Sequence, residues 1–223
     1  MSIKVKGISK IINRQPIITE VSFEWPAARI IGLVGQNGAG KTTLFRTMAD
    51  HYLPDAGSLL IDEQEVVKHP SMRQQLFYID TQHNFFGALT LKQIAAMYAR
   101  GYSHFDGKRF QQLLMAEQLS ATSHYQQLSK GQRMLSQILL ALVSGAPYVI
   151  LDEPFDGLDI LVRERIVARI VSEAVDHQTS FLISSHNLEE LDGLCDQALF
   201  LKDHRLVETM IWRRSASRLK SFN

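Results

Sequence analysis

The sequence predicts an α/β fold with a mostly parallel sheet, and three observations carry that expectation. Short apolar runs at Ile30–Val34, Tyr148–Asp152 and Ser180–Ser184 alternate with segments of helical period. The first run leads directly into Gly35-Gln36-Asn37-Gly38-Ala39-Gly40-Lys41-Thr42-Thr43, which completes the phosphate-loop pattern GxxxxGK[ST] ahead of good helix formers. The second ends in adjacent acids, Asp152 and Glu153, at the carboxyl edge where open α/β sheets bind ligands.

The elements follow in order. Val21, Phe23 and Trp25 alternate with Ser22 and Glu24, the period of a half-buried strand. With residues 2–8 and a turn at Asn13–Pro16, they predict an N-terminal antiparallel β-subdomain. A strand at 29–34 feeds the phosphate loop and a helix over Lys41–His51. Pro54–Gly57 signals a turn before a strand at Ser58–Asp62, and another strand is expected at Leu76–Ile79. Leu91, Ile94, Ala95 and Tyr98 then share one helical face, and Phe110, Leu113, Leu114 and Leu119 a second. This stretch, about 91–145, reads as an α-helical subdomain inserted within a single domain spanning 1–223. The second half predicts a helix from about 132, a strand at 148–152 and a helix near 160–175. A strand at 180–184, a helix near 187–194 and a strand pair at 197–202 and 205–210 complete it.

Composition excludes several classes. The chain has 223 residues, 45% of them hydrophobic and 21% charged, the make-up of an ordinary globular protein. A net charge of +1 gives no pull toward nucleic acid, so no nucleic-acid partner is expected. One cysteine, Cys195, allows no internal disulfide and reads as a packed small side chain. Met1–Lys6 has no apolar core of a signal peptide. Residues 134–151 lack charge, but Pro147 interrupts them, so a buried helix and strand are expected rather than a membrane span.

The chemistry follows from residue types at these spacings. Glycines in the loop let backbone N–H groups approach phosphate oxygens, Lys41 reaches the β/γ-phosphates, and the Thr42 hydroxyl suits Mg²⁺. Gly35, Asn37, Gly38, Ala39, Gly40, Lys41, Thr42 and Thr43 are therefore expected to hold a polyphosphate. Asp152 suits a metal carboxylate, and Glu153, pointing the other way off the strand end, suits deprotonation of water. An acidic strand-to-loop turn is the bland alternative. Ser129, in Leu128-Ser129-Lys130-Gly131-Gln132, can cap the following helix and present N–H groups to an anion, or serve as a plain N-cap.

In this order the motifs resemble the ATP-binding subunit of an ATP-binding-cassette (ABC) transporter, over almost the whole chain. Residues 35–43 resemble Walker A, Gln82 the Q-loop glutamine, Leu128–Gln132 the signature LSGGQ, and Tyr148–Pro154 Walker B. Gly157-Leu158-Asp159 is similar to the D-loop, and His186 to the switch histidine. The resemblance implies a P-loop NTPase core and two copies, or one copy with a homologous subunit, closing head to tail around two Mg²⁺·ATP. Ser129, Gly131 and Gln132 of one copy would face the nucleotide held by the other, and Asp159 would link the two sites. Glu153, His186, Gln82 and Lys41 would be catalytic, and Thr42, Gln82 and Asp152 would serve the metal. A separately encoded membrane permease is the implied partner, which places the chain in the cytoplasm on the inner face of the membrane.

Two departures from the family pattern stand out. Lys130 replaces the second glycine of the signature, as in some drug- and peptide-efflux cassettes; it adds charge near the expected γ-phosphate or points to solvent. Together with Tyr102–Asp106 it favours export over import. Ile12 occupies the position where the family stacks an aromatic residue on adenine, forgoing about 0.5–1.5 kcal/mol of stacking. Weaker discrimination among purine nucleotides is the consequence. Phe85 and Phe86 either pack under the helical segment or line a groove for a cytoplasmic helix of the permease. The other readings are a non-transport ABC ATPase of DNA repair, chromosome structure or translation, and a degenerate binding-only cassette. Absence of heptads, of a second cassette and of a basic face disfavours the first, and the full set of hydrolytic residues disfavours the second.

Overall fold

The structure is a computed structural model and describes residues 1–80 and 86–212. Alternation at the N-terminus produces β1 (Ser2–Ile12) and β2 (Gln15–Pro26), antiparallel and joined at Asn13-Arg14. Both turn residues have positive φ, 52° and 64°, as a two-residue hairpin turn of matching twist requires. The strands are longer than the alternating core of the sequence suggests, because bulges let them curve without ending. After β3 (Ile30–Val34) and helix α1 (Lys41–Met48), β4 (Ala56–Ile61) pairs with the free edge of β1, and β5 (Gln64–Glu65) with β4.

Next come β6 (Leu76–Asp80) and three helices, α2 (Leu91–Gly101), α3 (Gly107–Ala116) and α4 (Lys130–Val143). Then follow β7 (Tyr148–Asp152), α5 (Ile160–Asp176), β8 (Ser180–Ser185), β9 (Gln197–Lys202) and β10 (Arg205–Ile211). Among the described residues the main sheet runs β10-β9-β3-β8-β7-β6, parallel except for the β10 edge. The helix expected near 187–194 is instead a single 3₁₀ turn, Leu188–Glu190. The Ser185 hydroxyl bonds the Asn187 backbone and the Glu190 carboxylate, tightening this turn, and Gly193 at φ 77° breaks any continuation.

Strands β3, β7 and β8 are buried at every position, as parallel strands covered on both faces must be. Their period of two divides the core. Ile31, Leu33, Tyr148, Ile150 and Leu182 pack with Leu44, Phe45 and Met48 of α1 and with the antiparallel sheet. Ile30, Val149, Leu151, Phe181 and Ile183 pack on the opposite side with Ile94, Phe110, Leu114, Ile138 and Ile170 from α2 to α5. Each such apolar side chain contributes about 1.5–3 kcal/mol on burial, so a one-residue slip of any central strand is strongly disfavoured. Cys195 is one more packed group, 3.3 Å from where a Cβ on Gly32 would stand. No helix among the described residues is long and apolar enough to cross a membrane.

Two ion pairs of opposite polarity tie α3 to α5. Arg109 meets Glu173 at 2.6 Å, and Glu117, just past α3, meets Arg169 at 2.6 Å. Glu173 is 3% exposed, so loss of that guanidinium would leave a buried carboxylate without its nearest cation. Replacing Arg109 by Met should therefore cost about 3–5 kcal/mol in urea denaturation. Removing the exposed Arg205–Glu20 pair should cost under about 1 kcal/mol. Equal effects would show that the α3–α5 contact is not set by these charges.

Candidate phosphate and metal site

The phosphate loop connects the end of β3 to α1, and it is built from backbone. Gly40 has φ 108°, and a Cβ there would lie 2.5 Å from the Ile17 carbonyl oxygen of β2, so no other residue fits this turn. Side chains cap four of the five α-helices among the described residues: Thr90, Asp106, Ser129 and Asp159. No side chain caps α1. Its first-turn N–H groups and positive dipole end therefore face a cavity of about 270 Å³ lined by Asn37, Gly38, Gly40, Lys41, Thr42, Thr43 and Glu153. That arrangement fits a phosphate group.

Lys41 is only 4% exposed. Its ammonium donates to the carbonyls of Gly35 (2.6 Å) and Gln36 (3.1 Å) and lies 3.1 Å from Glu153 Oε1. Strand alternation would send Glu153 to the face opposite Asp152. A φ of 49° turns it back into the cavity instead, and its N–H is held by Ser184 Oγ at 2.8 Å. Ala39 sits inside the loop, its N–H bonded to the Gln36 carbonyl.

Asp152 is 1% exposed and accepts from Ser184 Oγ at 2.7 Å, from Tyr78 Oη at 3.4 Å and from the Thr42 hydroxyl. Burial raises its carboxyl above the ordinary value; the Ser184 and Thr42 hydrogen bonds oppose this, while Glu153 and Asp80 add to it. A buried carboxylate beside a threonine hydroxyl is an all-oxygen donor set, which fits Mg²⁺. Tyr78, Asp80, Arg46 and Ser184 were missed in the sequence. Asp80 ends an apolar strand just as Asp152 does, and that shared ending was the available signal.

The other expected residues among those described are not part of this cavity's lining. His186 is exposed and follows β8, whose last residue, Ser185, accepts the Gly35 N–H at 3.2 Å; this brings it to the same sheet edge. Ile12 is half-buried at the end of β1, outside the cavity lining. Ser129 caps α4 in a reciprocal box with Gln132, and a Cβ on Gly131 would strike Val162 at 2.7 Å. Asp159 caps α5 through the Val162 N–H. Lys130 takes the solvent direction: its side chain is 59% exposed and pairs with the similarly exposed Asp156 of its own chain at 3.0 Å. Gln82 and Phe85 lie outside the described residues. Phe86 packs edge-on to Tyr125 at 5.2 Å and also lines a second cavity of about 250 Å³, beside Tyr98, Tyr102, Tyr78 and Asp80.

An uncapped helix start, a buried lysine and a buried acid at one sheet edge define a phosphate-loop nucleotide-binding protein. Residues 18–156 match the family described as ABC transporter, and the chain belongs to that family. It is 32% identical to the ABC transporter ATP-binding protein YtrB of Bacillus subtilis (strain 168), over 93% of this chain and 71% of that protein. It is 31% identical to the sulfate/thiosulfate import ATP-binding protein CysA of Caulobacter vibrioides, over 93% of this chain and 64% of that protein. The fold is shared with the cassette MJ0796, solved as a dimer in a post-hydrolysis state with ADP and Pi: TM-score 0.83, 20% identity, 95% of this chain and 99% of that one.

An ionised Asp152 costs stability, because its folded value is raised above 3.8. Without nucleotide, Asp152→Asn should therefore melt higher than the parent at pH 7. The gain should shrink as pH falls through the raised range and vanish below 3.8, where both states of the parent are protonated. Thermal unfolding against pH reads this directly; a lower melting point at pH 7 would contradict it.

Proposed function

We propose that this chain binds Mg²⁺·ATP in the cavity at the start of α1 and hydrolyses it when a second cassette closes over the nucleotide, powering a separately encoded membrane permease. The uncapped α1 terminus beside buried Lys41 and Asp152 and half-buried Glu153 carries this reading. The loop from Gly35 to Thr43 would cradle the phosphates, and Thr42, Asp152 and Gln82 would hold the metal. Bound there, the metal would neutralise charge on the β- and γ-phosphate oxygens.

Lys41 divides its charge between two carbonyls and Glu153. Phosphate oxygens entering the cavity compete for the same three donors, which releases the Glu153 carboxylate to take a proton from water. His186, exposed at the sheet edge, would hold the γ-phosphate and stabilise charge developing on it. Ser129, Gly131 and Gln132 would contact the nucleotide of the other copy, consistent with their absence from this chain's own cavity lining. Asp159 would link the two sites. The dimeric MJ0796 cassette supports this arrangement.

The cavity beside Phe86 and Tyr98 suits a short amphipathic helix of the permease, which would hold the chain at the membrane's inner face. Residues 1–223 are read as one such cassette, with about 91–145 as its helical subdomain. Export is inferred from Lys130 and the Tyr102–Asp106 region, although a 31% identical relative serves import.

Glu153→Gln tests the central claim. Nucleotide affinity should stay within about tenfold while steady turnover falls by at least about 10²-fold. Sedimentation should then show an ATP-dependent dimer. Brisk turnover by that variant removes Glu153 as the base. For the purine contact, equimolar GTP should compete with ATP to within about tenfold, because Ile12 supplies no aromatic stacking. A strong preference for ATP in competition binding would refute this.

A further inference from the structure

Strands β6 and β7 are parallel and in register from Leu76 opposite Tyr148 to Asp80 opposite Asp152. Register partners on neighbouring strands project to the same face. Asp80 and Asp152 therefore stand side by side beneath α1, on the face that carries Tyr78 and Ile150. Their side chains are shielded too, Asp80 being 8% and Asp152 1% exposed.

The two acids have different partners. Asp80 is paired with a cation: Arg46 Nη2 lies 2.8 Å from its Oδ2. Arg46 comes from α1, five residues after Lys41, and also bonds the hydroxyls of Tyr52 and Tyr78. Asp152 receives the hydroxyls of Ser184, Thr42 and Tyr78. Hydroxyl donors orient a carboxylate and leave its charge in place, whereas a guanidinium neutralises it.

We propose that Arg46 is a positioning residue for the metal site: by holding Asp80 in an ion pair, it makes Asp152 the one of two adjacent carboxylates presented to the cation. The inference rests on the reading of Asp152 as the metal carboxylate. A site offering few carboxylates suits Mg²⁺, which keeps its waters and takes one or two carboxylates. Ca²⁺ accepts more oxygen ligands in a looser shell. Tyr78, bonded to both Arg46 and Asp152, keeps the two acids in fixed relation.

The test measures retention of a fluorescent, non-hydrolysable ATP analogue by the full chain, titrated with Mg²⁺ or Ca²⁺, alongside thermal unfolding. Arg46→Met releases Asp80 beside the metal, and the ratio of Ca²⁺- to Mg²⁺-supported affinity should rise about tenfold. Removing both charges, in Arg46→Met with Asp80→Asn, should return that ratio to within about twofold of the parent. Arg46→Lys should keep it. An unchanged ratio in a folded Arg46→Met protein, or no return in the double variant, overturns the proposal. Should Arg46→Met fail to fold, Asp80→Asn decides. It frees Arg46 to turn to Asp152, so Mg²⁺-supported affinity should drop about tenfold, and no drop overturns the proposal. A parent that retains nucleotide equally with and without Mg²⁺ refutes instead the metal reading of Asp152.

Discussion

Three parallel strands buried on both faces set the terms for everything else in this molecule. With no solvent face, β3, β7 and β8 can place polar groups only where they end, and being parallel they end at one edge. The phosphate loop, the Ser184-Ser185 hydroxyls and the Asp152-Glu153 acids all emerge there. Period-two alternation then decides the neighbours of each group. Positions on the Tyr148, Ile150 and Leu182 face meet α1, so Asp152 and Ser184 meet it too.

Gathering acids at one edge creates an electrostatic problem that a single helix resolves. Burial raises the Asp152 carboxyl, and Glu153 and Asp80 lie close enough to raise it further. Helix α1 supplies both opposing cations, Lys41 at its start against Glu153 and Arg46 a turn and a half later against Asp80. Its N-terminus, lacking a side-chain cap, adds unpaired N–H donors to the same place. The helix that completes the phosphate loop is thus also the counter-charge of the acidic edge. By contrast, the α4 terminus is closed by Ser129 and Gln132, and Lys130 is engaged by Asp156.

Local rules made much of this legible. The phosphate loop, the buried strand into Asp152, the capping residue Ser129, and the stripes of α2 and α3 depend on spacing within one segment. Where the reading went astray, a contact from another segment intervened. The helix expected near 187–194 lost to side-chain bonds from Ser185 and to Gly193. Glu153 departs from strand alternation because a left-handed backbone turns it to Lys41. For Lys130 the sequence left two directions open, and the loop after β7, more than twenty residues away, supplies its partner Asp156 on the solvent side.

By itself the amino-acid sequence determined which residue types stand at which strand ends and helix starts, because hydrophobic period, loop glycines and capping chemistry act within a few residues. Only the tertiary structure decided which of those ends are neighbours. The pairing of Asp80 with Asp152, and the assignment of Arg46 to one and hydroxyls to the other, arise from strand register and the placement of α1 across the sheet. Register is a relation between distant segments, fixed by how two buried faces pack, and no single stretch of chain contains it.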